Sequence, residues 1–275
     1  MIHMLQSLID NIVVLPFFIA LVTGLVGIIW RRPCTSRRLF FSISAAIQMV
    51  LAWYLIFLTH KVKILFLPLG AWKAPFGISI AIDVFGSLLI GVTTMLSLFA
   101  ILYLFATTKK DKENFLLLPL IQFMIAGIVL SFSTGDFFNL FVSFEIFLIA
   151  SYGLLTLKSD EKSIKNTFPY LGVNVIGGTL FVLGASFIYG MFGTLNFADI
   201  SAQTSNLSQD PKLILIASYL VLVFGIKAGF FPLFYWLPRS YSCLPPPLAA
   251  LFAGLLTKVG IYAIIRTLTT IFPLG

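Results

Sequence analysis

Eight apolar runs, each about as long as a bilayer is thick, follow one another with only short polar connections between them. A helix crossing roughly 30 Å of hydrocarbon needs about 20 apolar residues. The runs fall near 12–30, 39–58, 78–106, 115–134, 136–157, 168–190, 213–236 and 246–272. They predict an all-α fold, a polytopic transmembrane helical bundle of about 8 spans. Composition points the same way: 59% of the 275 residues are hydrophobic and 10% are charged, against about 25% charged in a soluble domain. The first run is preceded by no Lys or Arg and no small-residue cleavage site, so it reads as a retained membrane helix and not a signal peptide.

The 18 Lys and Arg against 10 Asp and Glu give a net charge of +8. In a soluble protein such a balance suggests a nucleic-acid partner. Here the positive residues sit in short connections, where membrane orientation accounts for them, and no nucleic acid is expected. Eleven fall on one side: Arg31, Arg32, Arg37 and Arg38 after the first run, Lys109, Lys110 and Lys112 after the third, Lys158, Lys162 and Lys165 after the fifth, and Arg239 after the seventh. Positive loops mark the cytoplasmic side. The expectation is a multi-pass protein of the inner (plasma) membrane with both termini outside. Cys34 and Cys243 form neither a metal-ligand spacing nor a disulfide framework, so no metal and no cofactor is expected. In the connection 190–212, Phe192, Leu195, Phe197 and Ile200 could hold part of the chain in the membrane interface, and Trp72 and Trp236 are the clearer headgroup-level anchors.

Three ionisable residues stand out by depth. At 1.5 Å rise per residue, Glu145 lies roughly 14 and 18 Å from the ends of its span, Lys227 roughly 21 and 14 Å, and Lys258 roughly 18 and 21 Å. A charge at such depth costs about 2.5 to 3.5 kcal/mol on insertion scales. Glu145 is too short to snorkel and both lysines are too deep for it, so all three are expected to face protein or water. A static pair that fixes helix packing is one reading, but it leaves one of the two lysines over. A lysine that switches between burial alone and a carboxylate neighbour would take up and release a proton.

The backbone beside Lys227 supports that second reading. In Gly225-Ile226-Lys227-Ala228-Gly229-Phe230-Phe231-Pro232, the proline removes one hydrogen bond and crowds the Ala228 carbonyl, and two glycines ease local unwinding. A broken helix is predicted at Gly225, Gly229 and Pro232. Irregular backbone at membrane depth is tolerated where it is buried in protein or lines a watery cavity. Asp83 and Asp136 are weaker candidates, since each lies at a span start where the helix dipole stabilises a carboxylate. Ser133, Thr134, Asn139, Asn174, Thr179 and Thr257 could hold waters in a path or simply join helices.

Gly135-Asp136-Phe137-Phe138-Asn139-Leu140, Phe144-Glu145-Ile146, the stretch from Tyr189 to Asp199, the stretch from Gly225 to Pro238 and Leu256-Thr257-Lys258-Val259-Gly260 together resemble the D-type family of Mrp multisubunit cation/proton antiporters. That family is homologous to the antiporter-like membrane subunits of complex I and of membrane-bound hydrogenases. The resemblance covers nearly the whole chain. It implies that Glu145 is the family's glutamate on helix 5, Lys227 its lysine on broken helix 7 and Lys258 its lysine on helix 8, together forming a proton half-channel. After Trp236-Leu237-Pro238 the family usually carries an acidic residue, and Arg239 stands there in this chain.

Family members run about twice this length, with two inverted five-helix repeats. The resemblance therefore implies helices 1–3 over residues 1–110, the first repeat, helices 4–8, over 111–275, and an absent second repeat, as in a fragment, a split gene product or a truncated paralogue. The expected partners are other membrane subunits of an Mrp-like complex, including a chain that supplies the second repeat, along with protons, Na⁺ or another monovalent cation, and the lipid bilayer. The expected function is that of a subunit of a monovalent cation/proton antiporter, with no covalent chemistry. The alternatives are a redox-driven proton pump of the complex I or hydrogenase type, and a truncated subunit with a structural role alone.

Overall fold

The computed structural model describes residues 11–72, 75–110, 113–157, 161–204 and 210–272. Lys73, Lys112 and Lys158, which entered the reading of connections and orientation, lie outside the described residues. The helices are α1 (Leu15–Ile29), α2 (Thr35–Val62), α3 (Val84–Thr107), α4 (Leu117–Ser133), α5 (Phe137–Thr156), α6 (Glu161–Phe192), the short α7 (Phe197–Thr204), α8 (Pro211–Ala228), the short α9 (Trp236–Tyr241) and α10 (Pro246–Ile271). Among the described residues, α2, α3, α5, α6, α8 and α10 are long and apolar enough to cross a membrane, and α1 and α4 are apolar helices of 15 and 17 residues. The chain is an all-α, multi-pass membrane bundle.

Local chemistry sets the helix starts. Proline occupies the first turn of α1, α8 and α10, where a missing N–H leaves no bond unmade. Asp83, Asp136 and Asp210 precede α3, α5 and α8. Their carboxylates accept from the N–H of Gly86 at 2.8 Å, Asn139 at 3.0 Å and Lys212 at 2.9 Å, satisfying donors that a helix start leaves free.

The third run is not helical throughout. Ser79–Asp83 forms strand β2, paired antiparallel with β1 (Ile64–Pro68) in a register that sets Leu65 opposite Ile82 and Leu67 opposite Ile80. Ile80 and Ile82 alternate with Ser79, Ala81 and Asp83, a period of two that suits a strand, and the helix begins only after the Asp83 cap. Backbone and side-chain bonds tie this hairpin to the bundle: Gly135 N–H donates to the Ser79 carbonyl at 2.9 Å and Asn196 Nδ2 to Ser79 Oγ at 2.7 Å. The connection after α6 folds back onto the same end, with Phe192, Phe197 and Ile200 buried against the bundle.

Helix α4 runs through the centre: apart from Leu120 and Phe123, all of its residues are buried. Helices α1, α3 and α5 pack around it. Large apolar side chains such as Val50 and Trp53 on α2, and Ile176 and Phe187 on α6, point outward, as expected of a bundle whose surroundings are as apolar as its core.

Arg37 and Arg38, read from the sequence as loop charges, lie in the first turn of α2. Arg37 is fully buried. Its Nη1 donates to Glu113 Oε1 at 3.2 Å, its Nη2 reaches the Phe115 carbonyl at 2.5 Å, and Arg38 Nε donates to Glu113 Oε2 at 2.8 Å. Arg38 also donates to the carbonyls of Phe105 and Thr108 near the end of α3. One buried carboxylate thus staples the start of α2 to the segment that leads into α4.

Candidate functional site

Lys227 sits one residue before α8 ends. Gly229 adopts φ 71° and ψ 42°, its N–H donates to the Ile226 carbonyl at 3.3 Å, and Phe230 N–H reaches the Gly225 carbonyl at 3.0 Å. This pair of bonds is the Schellman arrangement that closes a helix on a left-handed residue. Glycine takes that conformation without a Cβ penalty. A Cβ there would also come within 2.7 Å of Leu237 Cδ1. The helix is therefore broken by Gly229, with turns from there to Tyr235 before α9 resumes. Pro232 lies inside those turns, past the break, and not within a continuous helix as its crowding of Ala228 would require. Gly225 supplies a capping carbonyl and is not itself unwound.

This geometry leaves Lys227 in an unusual position. Its side chain is 4% exposed, and Nζ has no hydrogen-bond partner. The ion pairs among the described residues are Arg37–Glu113, Arg38–Glu113, Lys165–Glu161 and Arg266–Asp83; Lys227 and Glu145 enter none. What surrounds the ammonium is the Phe144 ring, whose centroid lies 4.8 Å from Nζ, and the negative end of the α8 dipole, both favourable to a cation.

Glu145 is half-buried on α5, one residue after Phe144. Adjacent glycines on α6 face the two ionisable residues: a Cβ at Gly177 would lie 3.9 Å from Lys227 Cε, and one at Gly178 would lie 2.9 Å from Glu145 Oε1. The absence of side chains at these positions lets α6 approach α5 and α8 closely, and the carboxylate rests in the room that Gly178 leaves. Phe144, Phe181 and Phe224 stack and cross at centroid distances of 5.0 to 6.2 Å around the same point.

Lys258 is not brought to this cluster. It is exposed on α10, and its Nζ donates to the Ala253 carbonyl at 2.6 Å and to Thr257 Oγ1 at 3.3 Å, both on its own helix. Residues Phe252–Leu256 form a π-helical turn, a bulge type frequent at functional sites. Of the polar candidates, Asn174 lines a small cavity with Lys227. Thr179 bonds only to the Val175 carbonyl on the exposed face of α6.

The sequence reading missed two groupings. Asp83, besides capping α3, takes a hydrogen bond from Arg266 Nη2, and Arg266 Nε donates to the Tyr262 hydroxyl at 3.0 Å. Depth profiles could not pair residues 183 positions apart. Trp236, expected at headgroup level, is 1% exposed and lines the cavity beside Lys227. Chain that is folded back after a helix break buries residues that a straight helix would carry to the interface, which accounts for the difference.

Residues 134–274, about half of the chain, match the family described as NADH:quinone oxidoreductase/Mrp antiporter, TM. The D-type subunit of the Na(+)/H(+) antiporter of Bacillus subtilis is 40% identical over 263 residues, which are 96% of this chain and 53% of that protein. The Mrp complex from a Dietzia species contains a chain with a TM-score of 0.85 and 27% identity, covering 98% of this chain and 49% of its own length. The membrane-bound sulfane sulfur reductase, an archaeal respiratory membrane complex, gives 0.79 and 26%, over 96% and 53%. The chain spans about half the length of the curated relatives it matches. The chain belongs to the NADH:quinone oxidoreductase/Mrp antiporter transmembrane family.

Proposed function

We propose that this chain carries a proton half-channel of a monovalent cation/proton antiporter, with Na⁺ as the first candidate cation, as a D-type member of a multisubunit membrane complex. The observation that carries the reading is Lys227: a buried ammonium at a helix break, with no ion-pair partner and with Glu145 across a glycine-lined contact. A fixed structural pair would hold the two groups in contact. A relay instead needs a lysine whose carboxylate neighbour approaches and withdraws.

In this reading residues 1–110 form the helix 1–3 unit and 111–275 the first antiporter-like repeat, in the plasma membrane, with the Arg31–Arg38 side cytoplasmic and both termini outside. Lys258, turned outward and held only by its own helix, is the group that would pass protons to a second repeat supplied beyond these residues. The likeness to an archaeal respiratory complex, at a TM-score of 0.79, favours a second reading: the same half-channel in a redox-driven pump. Everted vesicles from an antiporter-deficient host that express the assembled complex decide between them. The antiporter reading expects Na⁺ to collapse an imposed pH gradient without any electron donor. Proton movement only on addition of a donor substrate would replace it with the pump.

Gly178→Ala tests the contact itself. The added methyl would meet the mobile end of Glu145 and not backbone, so the carboxylate shifts and the fold is kept. A misplacement on the order of 1 Å at a reacting group has large rate effects, and a roughly tenfold fall in transport is expected at unchanged membrane abundance. Full activity in this variant would show that the position of Glu145 is not critical.

A further inference from the structure

Lys227 Nζ and Trp236 Nε1 are both buried and both lack a hydrogen-bond partner, and both residues line one cavity with Asn174 and Tyr170. Such orphaned donors are rare in folded proteins, and each calls for a partner. The cavity has space for about one water molecule. Its remaining walls are apolar, with Phe144, Phe147 and Leu148 among them.

The acceptors are also present. Asn174 Nδ2 donates to the Tyr170 carbonyl at 2.8 Å, which leaves Asn174 Oδ1 as a free acceptor. Tyr170 Oη and Ser151 Oγ are 2.7 Å apart, and Ser151 Oγ donates to the Leu148 carbonyl. The Tyr170 hydroxyl is therefore the donor of that pair and keeps an unused lone pair.

We infer that Lys227, Trp236 and Asn174 form a binding site for a single water molecule that links the lysine to the Tyr170–Ser151 pair. When Lys227 is an ammonium, the water accepts from Nζ and Nε1 and donates to Asn174 Oδ1 and Tyr170 Oη. When Lys227 is a neutral amine, the water donates to it and to Asn174, and still accepts from Trp236. The indole N–H never changes its role, so Trp236 is a positioning residue that holds the water through both protonation states. The link points toward the end of the bundle where α5 finishes and α6 starts, with Glu161 and Lys165 in the first turns of α6. It identifies the side from which Lys227 exchanges its proton.

This inference rests on Lys227 being the proton carrier proposed above, and the test separates the two. Trp236→Phe keeps an aromatic ring and deletes the N–H. In vesicles bearing the assembled complex, the maximal rate of Na⁺-driven proton movement is expected to fall about tenfold, the effect of one lost hydrogen bond, with the half-saturating Na⁺ concentration unchanged. A cryo-electron microscopy map of the unsubstituted complex that resolves waters should show one within hydrogen-bond distance of both Lys227 Nζ and Trp236 Nε1. An unchanged rate in Trp236→Phe, or a dry cavity in that map, overturns the water site. If Trp236→Phe keeps full rate while Lys227→Ala is inactive, only the water site falls. If Lys227→Ala is also active, the half-channel reading falls with it. The map decides the question if the variant does not assemble.

Discussion

Lys227→Ala and Lys227→Met are expected to abolish Na⁺-dependent proton movement, while the complex still reaches the membrane in normal amount. The lysine is the one deep cation placed inside the bundle at the break, and no other described residue can take its proton from the same position. Proton transfer by a positioned group contributes on the order of 10²- to 10⁴-fold, so the residual rate should fall into the background of a vesicle assay. Assembly should survive because Lys227 makes no hydrogen bond or ion pair whose loss would leave a partner exposed. The methionine variant also keeps the side-chain volume against Phe144, which avoids a cavity. Glu145→Ala is expected to give the same loss of transport, since without its carboxylate nothing modulates the lysine. Retained activity in the Lys227 or the Glu145 variant would remove that residue from the path.

Glu113→Ala is expected to act in the opposite way, lowering stability and leaving the chemistry alone. Glu113 is buried and answers two arginines, of which Arg37 is fully buried and Arg38 partly exposed. Removing one member of a buried ion pair typically costs about 3 to 5 kcal/mol, because the other charge stays behind uncompensated. Arg37 would keep only the carbonyls of Gly27 and Phe115, and its Nε already has no partner. The thermal midpoint of the detergent-solubilised complex and its abundance in membranes should both fall, with transport per assembled complex unchanged. Arg38→Ala should cost less, since Arg38 is partly exposed and Glu113 keeps Arg37. An unchanged midpoint in Glu113→Ala would show that the staple contributes nothing to stability.

The order of the apolar helices was legible in the sequence because crossing hydrocarbon is a local requirement: length, apolar content and breakers are properties of one segment. The break beside Lys227 was legible for the same reason, although Gly229 makes it and Pro232 does not. The strand at Ser79–Asp83 escaped notice because five residues of alternating pattern, attached directly to a long apolar run, read as more of that run. Arg37 passed for a loop charge because its carboxylate partner lies 76 residues away.

What the residues determined by themselves is the count that separates Glu145, Lys227 and Lys258 from the ends of their apolar runs; past Gly229 the chain is no longer helical, so for Lys227 that count does not convert to a distance toward Trp236. What only the tertiary structure decided is direction. Lipid and the inside of a helix bundle are equally apolar, so hydropathy cannot say whether a side chain at a given depth looks inward or outward. Packing against α5, α6 and α10 turned Lys227 inward to Phe144 and Trp236. Lys258, on a helix of the same kind, was left facing out.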